Sequence, residues 1–177
     1  MQQVRFTGFG GQGIVVAGEI LARAANLENK TVSLFSSYGS QVRGGIAISD
    51  LIISSSFIDC PLVDEIDFLV VMLQDAFKES ISLVKKEGKI VLDSTLVKAD
   101  SLLSSINYYS IPATEIALQE LKSEMTANII LLSAANYIGK FVKTASLIES
   151  IKENFSPRFV ELNLKGVEIG LKLAQKY

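Results

Sequence analysis

Residues 2–25 read Gln-Gln-Val-Arg-Phe-Thr-Gly-Phe-Gly-Gly-Gln-Gly-Ile-Val-Val-Ala-Gly-Glu-Ile-Leu-Ala-Arg-Ala-Ala. The stretch changes period once. Gln2–Thr7 has the short, β-like pattern of a strand. From Ile14 onward Ala17, Gly18, Leu21, Ala22 and Ala25 recur at the spacing of one helical face. Between them, Gly8, Gly10 and Gly13 give the pattern G-x-G-x-x-G at a strand-to-helix turn, the context in which that pattern carries meaning. Glycines permit a tight turn and close backbone approach, and free amides at a helix start attract phosphate. The helix face is made of small residues, so the helix can press closely on a sheet. This opening predicts a Rossmann-like βα unit.

The rest of the chain extends that unit. Thr31–Phe35, Ile46–Ile53, Lys89–Leu92 and Ile106–Ile111 read as strands, and Phe68–Leu73 is a continuous apolar run, as in a strand buried on both faces. A helix with Phe77, Ile81 and Val84 follows that run, with Lys85 and Lys86 in its last turn and Gly88 as its C-cap. From Pro112 the pattern is helical. Ala127–Phe141 is apolar nearly all round. Ser146–Glu149 resembles a capping box, and Ser156-Pro157 opens a last helix with the stripe Val160, Leu164, Val167, Leu171 and Ala174. The expected architecture is one α/β domain over residues 1–177. It is a three-layer sandwich around a mostly parallel sheet, with a helical C-terminal part.

Composition narrows the function. The 177 residues include 17 Lys+Arg against 19 Asp+Glu, no histidine and one cysteine. A net charge of −2 and a pI near 5.3 give no footprint for nucleic acid or an anionic membrane. Without histidine there is no Ser-His or Cys-His pair and no His-bearing zinc site. A single cysteine, Cys60, excludes an intrachain disulfide and an iron–sulfur cluster held by this chain alone. The 49% hydrophobic content with 20% charged residues is unusual, since charged residues ordinarily make up roughly a quarter of a soluble domain. The longest apolar stretch, Ala127–Ile138, is too short and too polar for a span of ~20 residues. No signal-peptide pattern opens the chain. The expectation is a cytoplasmic, interface-rich protein that self-associates when isolated.

The glycine loop does not read as an NAD site. The second strand ends in Leu34-Phe35-Ser36-Ser37, without the carboxylate that would hold ribose hydroxyls. Ile14 stands where a Walker lysine would be. Two readings remain: the loop binds phosphate or pyrophosphate, or its glycines only let the helix reach the sheet. Arg43, between flexible residues in the loop Ser36–Gly45, is placed to present a fork to phosphate or carboxylate, or to clamp a partner subunit. Asp93-Ser94-Thr95 reads as an Asx turn, Asp64, Glu65 and Asp67 as turn and capping residues, and Asn128 as a satisfied core amide. No catalytic constellation emerges. A stand-alone nucleotide-binding protein and a purely structural module are the alternatives to an enzyme subunit.

Several of these segments together resemble a known family. They are Gly8-Phe9-Gly10-Gly11-Gln12-Gly13, then Ser37-Tyr38-Gly39 leading to Val42-Arg43-Gly44-Gly45, then Ile58–Pro61 with Asp67 to Ala76. Asn128 opening a Leu/Ala-rich helix, with Leu147–Phe155 after it, completes the set. The chain is similar to the gamma subunit of 2-oxoacid:ferredoxin oxidoreductases. The resemblance implies a subunit of a complex that decarboxylates a 2-oxo acid with thiamine diphosphate, forms an acyl-CoA and reduces ferredoxin. Partner chains would then hold thiamine diphosphate and the iron–sulfur clusters. This chain would serve assembly and the accommodation of coenzyme A (CoA), with Gly8, Gly10, Gly11, Gln12, Gly13 and Arg43 as contact residues. 2-Oxoglutarate is the favoured oxo acid, with pyruvate or a branched-chain 2-oxo acid close behind. The Ser40-Gln41-Val42 stretch, where many relatives carry proline or an acidic residue, bears on substrate rather than on family.

Overall fold

The computed structural model describes residues 1–38, 45–99 and 106–177. Six strands form one sheet: β1 (Gln2–Phe9), β2 (Thr31–Tyr38), β3 (Ile46–Ser54), β4 (Ile66–Val71), β5 (Val84–Asp93) and β6 (Asn107–Ile111). Their order across the sheet is β2-β3-β1-β4-β5-β6. The β1–β4, β4–β5 and β5–β6 pairs are parallel. β3 runs antiparallel to both β1 and β2, so β2 shares the direction of β1. The sheet is mostly parallel, as expected, with one reversed strand where β2 turns back on itself.

Six helices complete the fold: α1 (Ile14–Leu27), α2 (Gln74–Ser80), α3 (Ala113–Leu121), α4 (Ala127–Gly139), α5 (Thr144–Asn154) and α6 (Pro157–Ala174). One face of the sheet supplies Val4, Phe6, Leu51, Ile53, Phe68, Val70 and Val91 to a core shared with α1, α3 and α4, which α5 and α6 back from outside. The other face carries a smaller core of Leu69, Val71, Ile90 and Leu92 under Phe77 of α2. Close approach makes this arrangement possible. A Cβ on Gly18 would lie 2.0 Å from the Ser49 hydroxyl of β3, and one on Gly170 of α6 would lie 2.3 Å from the Ile130 carbonyl of α4. On the α2 side, Arg5 and Asp50 stand opposite each other in the β1–β3 register. They form a two-pronged pair at 2.7 Å per contact, the geometry that a guanidinium fork favours.

Two sequence expectations fail here. Val84 does not end a helix, and Gly88 is no C-cap. α2 stops at Ser80, a 3₁₀ turn covers Ile81–Leu83, and Val84 opens β5. Ile66 pairs with Val84 while Phe68 pairs with Lys89, so residues 85–88 bulge out of the ladder. Gly88 sits in that bulge, where a Cβ would meet the Ile66 carbonyl at 3.1 Å. From the bulge Lys85 reaches Asp67 at 2.7 Å. The helical spacing of Phe77, Ile81 and Val84 misled because all three bury against the same small core. The capping box at Ser146 is also displaced. α5 starts at Thr144 after an extended Lys143, with no side-chain cap, because the Lys143 amide donates to Glu28 across the fold.

Burial opposes the charge of Glu28, but the Lys143 amide, Lys30 and Ser146 outweigh it and hold the carboxyl below its ordinary value. A lowered carboxyl contributes stability that is present above the unfolded value and lost as pH falls through the folded one. Glu28→Gln is therefore expected to lower Tm near neutral pH, with the gap to wild type closing below about pH 4 in a melting series. Gly170→Val should cost about 1–3 kcal/mol by overpacking α4 against α6, read by denaturant unfolding.

Candidate functional site

β1 leads through α1 to one side of the sheet, and the chain reaches β4 on the other side. Ligand crevices of open α/β sheets lie at such a switch point, outside the carboxyl ends of the strands. Here the glycine loop occupies it. Gly11 has φ 110° and Gly13 φ 74°, both in the left-handed region that favours glycine. Gly8 is buried, and a Cβ there would lie 2.6 Å from Gln12 Oε1 and 2.7 Å from the Ile14 side chain. Gly11 differs, since a Cβ on it would meet nothing within 4 Å and would point into open space. One glycine of the loop thus serves packing, while another leaves a surface open.

Gln12 shapes this loop from within. Its Oε1 accepts from the Phe9 amide at 2.6 Å and its Nε2 donates to the Met72 carbonyl at 3.2 Å, tying the loop to the end of β4. The Gly10 amide donates to the Gly45 carbonyl at 3.0 Å, which brings the end of the β2–β3 connection to the loop. Arg43 and its neighbours 39–44 lie outside the described residues.

Gly13 caps α1 without any side-chain bond. Its carbonyl accepts from the Ala17 amide, the first bond of α1, so the amides of Ile14, Val15 and Val16 have no acceptor within the helix. The same carbonyl accepts from Asn128 Nδ2 at 3.0 Å, at the start of α4. Asn128 is only half satisfied, for its Oδ1 is buried without a partner. Two helix N-termini therefore meet at Gly13, and an acceptor stands unpaired beside them. A cleft of about 200 Å³ opens next to the loop, lined by Gly11, Gln12, Met72, Thr114, Glu124 and Met125. Thr114, Glu124 and Met125 belong to no motif, and only the folded chain assembles them beside Met72.

The other sequence candidates are structural. Asp93, fully buried, accepts from the Thr95 amide at 3.0 Å, the Asx turn expected. It also accepts from the Thr114 amide at 3.0 Å and hydroxyl at 2.6 Å, which anchors the start of α3. Asp67 accepts from the Gln3 amide at 2.7 Å, and Asp64 accepts from Gln3 Nε2. Cys60 is exposed and free. Among the described residues no three His, Cys, Asp or Glu side chains are placed to hold a metal ion, and no helix is long and apolar enough to cross a membrane. Among the described residues the site presents backbone amides, an open surface at Gly11 and one carboxylate, Glu124.

Residues 3–173 match the family model of pyruvate ferredoxin/flavodoxin oxidoreductase. The chain belongs to this family. It is 36% identical over 177 residues to the 2-oxoglutarate synthase subunit KorC of Methanocaldococcus jannaschii, covering 99% of this chain and 95% of that one. It is 33% identical to the ketoisovalerate oxidoreductase subunit VorA of Methanothermobacter marburgensis, but spans 37% of that longer chain. The fold superposes with TM-score 0.88 and 28% identity on the keto/oxoacid ferredoxin oxidoreductase gamma subunit of Geobacter sulfurreducens, with full coverage of both chains. It also superposes, with TM-score 0.91 and 23% identity, on 31% of the 2-oxoglutarate:ferredoxin oxidoreductase of Magnetococcus marinus, a structure with 2-oxoglutarate, coenzyme A and succinyl-CoA bound. The gamma-type resemblance in the sequence is thus correct.

The geometry around Gly13 sets a sharp contrast between two glycines of this gamma-type chain. Gly13→Ala must hold a left-handed residue, costing about 1–2 kcal/mol, and its Cβ would lie 2.2 Å from Asn128 Nδ2. A Cβ on Gly10 would touch only the Gly45 carbonyl, at 3.5 Å. Denaturant unfolding should show Gly13→Ala losing about 2–4 kcal/mol and Gly10→Ala staying within about 1 kcal/mol of wild type.

Proposed function

We propose that this chain is the gamma subunit of a 2-oxoglutarate:ferredoxin oxidoreductase, and that its glycine-loop crevice receives the phosphate end of CoA. The observation that carries the reading is the open backbone at Gly11 and the uncapped start of α1, beside the unpaired Asn128 Oδ1. Phosphate oxygens suit free amides at a helix start, and a nucleotide moiety has amino groups to offer an orphan acceptor. 2-Oxoglutarate is favoured over other oxo acids because four relatives, 29–36% identical over most of their length, are 2-oxoglutarate synthase subunits. Gly45, two residues after Arg43 in sequence, is bonded to Gly10 of the loop, and Arg43 would add a charged contact.

The oxidative chemistry belongs to partner chains in this reading. One cysteine cannot ligate an iron–sulfur cluster. Those cofactors, and transfer to ferredoxin, fall to the other subunits. An apolar rim supports assembly. Phe57 is 81% exposed, Leu62 59% and Phe35 52%. Phe57 and Leu62 lie on the connection that Pro61 ties to Ser33 of β2, on the face that also carries Phe35. Apolar surface of this kind is normally covered by a partner.

Co-expression with the thiamine-binding and cluster-binding chains tests the proposal. The complex should reduce ferredoxin with 2-oxoglutarate and CoA, and the isolated chain should not. Gly10→Val adds bulk at the loop without a positive φ to strain, so it should raise the KM for CoA while leaving that for 2-oxoglutarate nearly unchanged. Arg43→Ala should raise the CoA constant about ten- to a hundred-fold, the equivalent of about 1.5–3 kcal/mol for one charged contact. Unaltered CoA kinetics in intact complexes of both variants would overturn the crevice assignment.

A further inference from the structure

A cavity of about 700 Å³ lies at the other end of the sheet. α1, α4 and α6 all finish there, and β2 begins there. Four lysines line it, Lys30, Lys89, Lys140 and Lys143, with Glu28 the one carboxylate side chain among the lining residues. In a chain of net charge −2 that is a local reversal of sign. One lysine is already used, since Lys30 pairs with Glu28 at 3.0 Å and donates to the Phe141 carbonyl. Among the described residues Lys89, Lys140 and Lys143 have no carboxylate within ion-pair distance.

Helix C-termini attract lysines on their own account, each with about half a negative charge. Three such ends absorb about one and a half charges, less than the three unpaired lysines carry. The walls are otherwise aromatic and aliphatic. Tyr109 and Tyr177 meet edge to face with centroids 5.3 Å apart, and the Tyr177 hydroxyl donates to the Ser110 carbonyl at 2.7 Å, fixing that wall. Tyr137, Ile138 and Val142 supply further apolar surface. A cavity in the size range of small-molecule sites, with four lysines and three tyrosines among its lining residues, suits a ligand with a multiply charged phosphate tail and a flat ring.

We infer that this basin is a second anion site, binding a nucleoside polyphosphate at the opposite end of the sheet from the glycine loop. It is independent of the CoA reading, because no residue lines both places. ATP is the probe, titrated calorimetrically into the full chain. The basin predicts binding tighter than about 1 mM. Lys89→Gln combined with Lys143→Gln should weaken ATP about tenfold or more, and Gly10→Val should leave it unchanged. Melting temperatures of the variants, measured without ligand, verify that they fold; a double variant that unfolds is replaced by Lys89→Gln alone, expected to weaken ATP about threefold to tenfold. Affinity weaker than 1 mM, or loss of ATP in Gly10→Val with retention in the lysine variant, overturns the inference.

Discussion

The carbonyl of Gly13 holds the molecule's functional end together. It receives the Ala17 amide from α1 and the Asn128 amide group from α4, so the starts of two helices are pinned to one atom at the end of β1. Left-handed backbone at Gly13 turns that carbonyl toward Asn128, and a side chain there has no room. The crevice inherits its shape from this constraint. With α1 and α4 fixed, the first amides of α1 face the switch point, and Gln12 is left to tie the loop to Met72. A buried acceptor left unpaired ordinarily costs about 1–3 kcal/mol. Retaining Asn128 in that state makes sense where a bound group supplies the missing donor.

The opening of the chain was readable because its local and tertiary demands agree. Gly8, Gly10 and Gly13 signalled a strand–turn–helix, and the small face Ala17, Gly18, Leu21 is the one that meets the sheet. The errors share a different cause. Val84 looked helical because its burial partners are those of Phe77 and Ile81, although its backbone has already joined β4. The bulge at residues 85–88 is a register event between strands, and no local pattern announces it. Asn128 was read as a satisfied amide; the sequence held its apolar surroundings but not the count of its partners. The α5 start moved because Glu28, 115 residues away, captures the Lys143 amide.

Charge is divided along the strand axis in a way that composition conceals. Among the described residues Glu124 is the only charged residue lining the cleft beside the glycine loop, so on the proposed reading an anion there would be held mainly by helix amides. At the opposite end the lysines provide full charges, but the helices present their negative ends. On the two proposals above, one end would grip a compact phosphate by directional amides, and the other would hold a looser polyanion by flexible ammonium groups. Amide contacts are short-ranged and specific, whereas lysine contacts are screened by salt.

A self-contained core suits a domain that matches whole chains in some relatives and part of longer chains in others. The chain aligns with whole subunits in some relatives and with about a third of others. Its core closes on itself: α5 and α6 back α1 and α4, and both sheet faces have their own clusters. What it leaves open is the apolar rim around Phe35, Phe57 and Leu62, and a crevice with dipoles but no proton-transfer pair. A unit whose core is complete in this way can stand as a separate chain or be joined covalently to further domains without repacking, and the two kinds of relative differ in that respect.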